Sequence, residues 1–358
     1  MKRRFGLMVL AALLAGGWPG CGGRDSGGEP GRKDERADAP ATRRGGKIEK
    51  TSHAPAVMQG AKTQPVTRMP KATGKKVREA AVAGLFYPKD KAELAETIDR
   101  HLRAARAEDI NQLRALICPH AGYRFSGPTA AFAYKQLIGR DIDTVIVLAP
   151  SHYADFEGAS IPEADAYRTP LGLIRLSPLA DELAKVKPFV RECPCRVQRP
   201  GWAGASPKKP PPPGEDTPHT WEHSLEVQLP FLQKVLGDFS LVPVVLGRVD
   251  PAAVAKALAG RLDEKTILIV STDLSHFHPY QTAIRMDRRC IDAIRGLDTK
   301  ALGPRYACGY RAVLAAMHLA RMKGWKVRLL DYRNSGDTAG DKRSVVGYAA
   351  MAFHGGAR

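Results

Sequence analysis

The stretch Ala115-Leu116-Ile117-Cys118-Pro119-His120-Ala121-Gly122-Tyr123-Arg124-Phe125-Ser126-Gly127 decides the fold. An apolar run stops at a proline, a histidine follows at once, and a glycine- and serine-containing turn leads to a predicted helix over Pro128–Ile138. Pro128 is placed at the first helical position, where its missing N–H costs nothing. A buried strand ending in Pro-His sets an imidazole at the carboxyl edge of a sheet, where open α/β sheets hold their ligands. Gly122 and Gly127 are expected to let the backbone turn close to it.

The same pattern recurs further along. Thr144–Ala149 is a nearly pure β-branched run, as strands buried on both faces are, and it ends in Pro150-Ser151-His152. Thr266–Val270 runs into Ser271-Thr272-Asp273-Leu274-Ser275-His276. Between these strands, leucines and isoleucines at helical spacing predict helices over 91–107, 178–185, 252–262, 282–294 and 309–323. A strand is read at 241–246, and two more at 326–332 and 345–353 close the sheet. The expected fold is one α/β/α sandwich domain over 77–358 with a mainly parallel central sheet.

The leading residues read differently. Met1-Lys2-Arg3-Arg4, the apolar Leu7–Ala15 and small residues up to Cys21 have the pattern of a signal peptide. The end, Trp18-Pro19-Gly20-Cys21, is similar to a lipobox, so residues 1–21 are expected to direct export, with membrane attachment through a lipid on Cys21. Residues 22–76 are Gly, Pro, Thr and charged residues with almost no aromatics, a composition expected to stay disordered as a basic tether. Residues 1–80 hold 17 Lys/Arg against 7 Asp/Glu, so this segment carries much of the formal net charge of +18. No helix-turn-helix, finger or aromatic-basic sheet motif accompanies that charge, and no nucleic-acid partner is expected. Residues 191–220, with Cys193-Pro194-Cys195 and Pro210-Pro211-Pro212-Pro213, read as a Pro-rich surface loop.

His120, His152 and the Asp273/His276 pair thus sit at three strand ends, and Cys308 sits at the start of a helix, whose dipole would favour its thiolate. Taken singly, each has an ordinary explanation: a hydrogen-bonded surface histidine, a helix-capping aspartate, a small buried thiol. Taken jointly at one sheet edge, they point to a metal site or a covalent-catalysis site, because open metal sites draw two or three N, O or S ligands from different elements. Cys308 acting as a hydrolytic nucleophile with His276 as base is the non-metal version. His223 and Glu226 stand three apart on one face of a helix with Leu225, Leu229 and Leu232. His223, His219, His278 and His318 are weaker candidates on this reading.

Six motifs in order resemble those of the Memo family, whose prokaryotic members are labelled AmmeMemoRadiSam system protein B. They are Ala81–Pro88, Pro119-His120-Ala121-Gly122-Tyr123 with Phe125-Ser126-Gly127, Pro150-Ser151-His152, Glu222–Pro230, Thr272-Asp273-Leu274-Ser275-His276 and Cys308-Gly309. The resemblance implies a fold similar to class III extradiol dioxygenase catalytic subunits. It also implies one transition-metal ion, copper or iron with zinc also suited, on His120, His152 and Cys308. Asp273 and His276 would line the same pocket as acid/base groups, with His223 nearby. It further implies radical-SAM and AMMECR-type partners, and an open metal pocket would itself be expected to take a small-molecule or peptide ligand. The two functions expected are a metal-dependent oxidoreductase of dioxygenase type at the cell envelope and a non-catalytic metal-sequestering or partner-binding protein.

Overall fold

The computed structural model describes residues 76–355. The predicted signal peptide, Cys21 and all of the tether before residue 76 lie outside them. The large sheet is built, in chain order, from β1 (Leu113–Cys118), β2 (Thr144–Pro150), β3 (Ala159–Ile161), β4 (Phe189–Arg191) and β5 (Ser240–Leu246). Then come β6 (Thr266–Ser271), β7 (His276–His278), β8 (Lys326–Asn334) and β9 (Val345–His354). Helices α1 (Lys91–Ala104), α2 (Tyr123–Lys135), α3 (Pro178–Leu183) and α4 (His223–Glu226) alternate with them. They are followed by α5 (Leu229–Leu236), α6 (Pro251–Leu258), α7 (Tyr280–Arg295) and α8 (Tyr310–Lys323).

The spatial order is β7-β9-β1-β6-β2-β5-β3-β4, with β8 also on β9. Its inner strands β1, β6, β2 and β5 run parallel. Parallel pairing is thus less general than the sequence reading holds. Strand β9 adds antiparallel to β1, β8 pairs antiparallel with β9, and β3 lies antiparallel on β5.

Alternation along the strands makes two cores. Leu116, Cys118, Val145, Val147, Ile267 and Ile269 face one way, onto α1, α2 and α5. Ala115, Ile117, Ile146, Leu148, Leu268 and Val270 face the other, onto α3, α6, α7 and α8. A strand whose two faces are both covered has no use for polar residues, which is why these runs read as continuously apolar.

Two helix starts differ from the sequence reading. Helix α2 begins at Tyr123, capped at Gly122, so Pro128 lies inside it and cannot donate to the Arg124 carbonyl. Helix α8 begins at Tyr310 with Gly309 as its cap, leaving Cys308 one residue before the cap. Gly127 has another purpose than a turn: a Cβ there would lie 2.8 Å from His101 Nε2, so the glycine admits close packing of α1 on α2.

A buried ion pair fixes the entry segment and α4 to each other. Val77–Arg78 pairs with Ala166–Thr169, which brings the Arg78 guanidinium onto the Glu226 carboxylate. Arg78 also donates to the carbonyls of His219 (3.1 Å) and Glu222 (2.9 Å). Glu226 accepts from the amides of Ala81 (2.8 Å) and Val82 (3.0 Å) and from the Tyr87 hydroxyl (2.6 Å). Both charges are therefore solvated by protein. Removing one strands the other, and Glu226→Ala is expected to cost about 3–5 kcal/mol in chemical denaturation.

Much of the 191–220 segment is exposed, but its far end and Trp202 pack into the body, with Asp216, His219 and Thr220 buried. Lys208 anchors it: its Nζ donates to the Thr220 carbonyl at 2.8 Å and sits 5.6 Å from the Trp221 ring centroid. Burial, then the nearby Arg78 charge, lowers this ammonium to about 7. A lysine depressed on folding binds fewer protons in the native state between that value and its unfolded one, so stability rises with pH across the interval. Lys208→Met is expected to flatten that rise in denaturation curves collected from pH 7 to pH 10.

Candidate metal centre

The ends of β1, β2 and β6 lie side by side, and each supplies part of one cluster. The ligating atoms of His120, His152 and Cys308 all lie within 4.8 Å of one another. Cys308 Sγ is 3.2 Å from His120 Nε2. The His120 and His152 rings stand edge-on, 5.1 Å between centroids. His120 is buried, and the His152 side chain, at the rim, is 24 % exposed.

Hydrogen bonding fixes which nitrogen of each ring is free. The Ser271 hydroxyl donates to the Ser224 carbonyl (2.7 Å) and accepts from Gln228 Nε2 (2.8 Å). Gln228 is held in that orientation by Tyr134, whose hydroxyl donates to its Oε1. Having spent its one proton, Ser271 Oγ can only accept from His120 Nδ1, 2.8 Å away. His120 thus carries its proton on Nδ1 and turns the lone pair of Nε2 toward Cys308. On His152, Nδ1 donates to Glu222 Oε1 at 2.9 Å, which leaves Nε2 as its ligating atom. The same carboxylate accepts from the His152 amide (2.7 Å) and the Ser224 amide (3.0 Å). Burial opposes its charge, but these contacts and the His152 imidazole outweigh that and hold its carboxyl well below the usual range.

Cys308 Sγ accepts from the Asp273 amide at 3.3 Å. This amide, rather than a helix end, is the donor the thiol meets, since α8 starts two residues later. Gly309 makes the approach feasible: a Cβ there would lie 2.4 Å from the Ser271 carbonyl oxygen.

Asp273 Oδ1 accepts from the His120 amide at 2.8 Å, and Oδ2 lies 4.0 Å from His120 Nε2. Burial raises its carboxyl to about 7, partly offset by the His120 amide. His276, on β7, is lowered to about 4 by burial and by His152. The His223 ring lies tilted 4.7 Å from that of His152 and edge-on 5.5 Å from that of His120, and burial, then the neighbouring His152, lowers it to about 3. All six sequence candidates therefore converge on one pocket. His219 is occupied elsewhere, between the Tyr167 hydroxyl (2.8 Å) and the Ser160 carbonyl (3.0 Å). Cys118 and Cys290 are pushed up to about 12 by burial and stay thiols.

Glu222, Ser271 and Gln228 were not singled out from the sequence. Each sits beside a quoted residue, but nothing in its type distinguishes an orienting group from a core polar one. Two imidazole nitrogens and a thiol sulfur, with tautomers set and a side left open, are a donor set suited to a first-row transition ion.

The family model described as Memo-like protein matches residues 78–199 and 205–352. A MEMO1 family protein of Methanopyrus kandleri is 36 % identical over 302 residues, covering 78 % of this chain and 99 % of that protein. One of Aquifex aeolicus is 34 % identical over 291 residues, with the same coverage. The chain belongs to the Memo family. Among solved structures, an uncharacterized protein of Escherichia coli K12 aligns at 15 % identity with a TM-score of 0.39, over 67 % of this chain and 99 % of that one, too distant to bear on function.

Carboxylates and hydroxyls that orient metal-bound histidines typically contribute 10–100-fold to affinity. Glu222→Gln and Ser271→Ala are each expected to weaken zinc binding by about that factor, with one ion per chain retained, in competition titrations against a chromophoric chelator.

Proposed function

We propose that this Memo-family protein holds one redox-capable transition ion, iron or copper, on His120, His152 and Cys308, and acts at the cell envelope as an oxidoreductase of dioxygenase type. The observation that carries the metal reading is the pair of locked tautomers, which present His120 Nε2 and His152 Nε2 alongside Cys308 Sγ. A bound ion of this kind would supply electron exchange with oxygen or a coordinated oxygen donor. The chain's own residues would do the rest. Asp273, titrating near neutrality inside the pocket, would accept or return a proton from a bound substrate. His276 and His223, kept neutral by burial, would accept or donate hydrogen bonds to it.

A second reading, metal sequestration or partner binding without turnover, is favoured by the thiolate: sulfur suits copper(I) holding better than ring cleavage at a carboxylate-ligated iron. Export through residues 1–21, a lipid on Cys21, a small-molecule or peptide ligand and radical-SAM or AMMECR-type partners belong to the proposal too. Among the described residues no helix is long and apolar enough to cross a membrane.

Elemental analysis of untagged protein is expected to give one iron or copper per chain, lost in His120→Ala, His152→Ala and Cys308→Ser. Unchanged metal content in all three variants contradicts both readings. Oxygen uptake above background with catechol-type substrates supports turnover, and silence across a broad panel with metal bound favours sequestration.

A further inference from the structure

Strand β7 lies at the edge of the large sheet and pairs with β9. His276 stands opposite Val346 and His278 opposite Val345, so Phe277 is an extra residue and the ladder shifts at that point. Its backbone is left-handed, at φ 61°. Among the described residues Phe277 is the one aromatic side chain at positive φ, a conformation that a bulky residue adopts only under constraint. The constraint is visible on both sides of it. The Leu274 amide donates to the Gly347 carbonyl (2.8 Å) and the Gly347 amide to the Ser275 carbonyl (2.9 Å). The Ser275 amide donates to buried Asp287 (2.9 Å), whose other oxygen accepts from the Tyr332 hydroxyl (2.8 Å). Beyond the bulge, the Tyr280 amide donates to the Lys342 carbonyl (3.1 Å).

The bulge changes where Phe277 points. Successive side chains of a regular strand lie on opposite faces. Here the His276 and Phe277 rings are neighbours, 5.6 Å between centroids and edge-on at 68°. His276 lines the metal pocket, so the extra residue turns the phenyl ring to the pocket side, the re-aiming that bulges beside functional sites perform. The fold gains little from this. The ring belongs to neither apolar core and is 53 % exposed. A lone exposed phenylalanine on a relaxed backbone needs no explanation. One held out at a backbone cost, beside a pocket residue, does.

We infer that Phe277 determines which ligands the pocket accepts. Its exposed ring is an aromatic wall beside His276, against which a planar aromatic ligand of the catechol class packs while its oxygens face the open metal position. Aromatic pairs packed offset or edge-to-face gain more than their buried area alone supplies, which gives such a ligand an advantage over an aliphatic one. A compact anion such as azide reaches the metal position without meeting the ring. Phe277 takes no part in the chemistry and selects by shape and apolar contact. The inference rests on the metal reading above for the place of the ligand's oxygens.

The test titrates 4-nitrocatechol and azide separately into cobalt(II)-loaded protein under argon, followed by visible absorption. Phe277→Gly removes the ring and is at ease at positive φ. It is expected to bind 4-nitrocatechol about fivefold more weakly, the worth of one aromatic contact, with azide affinity and cobalt stoichiometry unchanged. Phe277→Trp is expected to restore the affinity. Phe277→Asn, whose side chain also tolerates this backbone, is expected to repeat the loss and carries the comparison should Phe277→Gly not fold. Equal 4-nitrocatechol affinity in the wild type and the ring-less variants overturns the inference. So does an equal loss of azide affinity, which would make Phe277 a general prop of the pocket. Wild-type protein that binds azide but no 4-nitrocatechol overturns the aromatic-ligand assignment and leaves the metal reading standing. Wild-type protein that takes up no cobalt overturns the metal reading and this inference with it.

Discussion

The Glu222 carboxylate is the contact on which the site depends. One oxygen accepts from the His152 ring and the Ser224 amide, and the other accepts from the His152 backbone amide. Its own carbonyl accepts from Arg78. A single residue therefore joins the end of β2, the first turn of α4 and the entry segment. Burying a carboxylate is expensive unless its oxygens are fully used, and here they are. The energy that makes Glu222 costly to bury also makes the His152 orientation hard to change.

The rest of the arrangement follows from level strand ends. Parallel β1, β6 and β2 are hydrogen-bonded neighbours, so the residues that follow them emerge at one edge: His120, Asp273 and His152. The apolar cores on both faces fix the height of each strand, because slipping a strand by one residue would turn its side chains to the wrong face. Cys308 reaches the same edge from the turn before α8 by a close backbone approach that only glycine at 309 allows. The ligating residues thus lie in short turns directly beyond strand ends or before a helix, and their anchoring in the buried sheet suits a site that must hold an ion in one geometry.

Much of this was legible in the sequence. The apolar runs ending in Pro-His, and the run ending in Ser-Thr-Asp, gave both the α/β class and the convergence of His120, His152, Asp273, His276 and Cys308. Periodicity could not place helix starts, since a proline is compatible with both the first turn and the second, and the Tyr123 start depends on how Gly122 meets Phe86. The antiparallel addition of β8 and β9 was hidden because an apolar strand looks alike in either direction. Glu222, Ser271 and Gln228 were missed for a common reason: their roles lie in which atom they face, and that is decided by tertiary contacts between segments far apart in the chain.

X-ray absorption on zinc-loaded protein tests the central claim most directly. Two imidazole nitrogens at about 2.0 Å and one sulfur at about 2.3 Å, with the sulfur shell lost in Cys308→Ser, are the predicted result. A spectrum with no sulfur scatterer, or one that Cys308→Ser leaves unchanged, would contradict it.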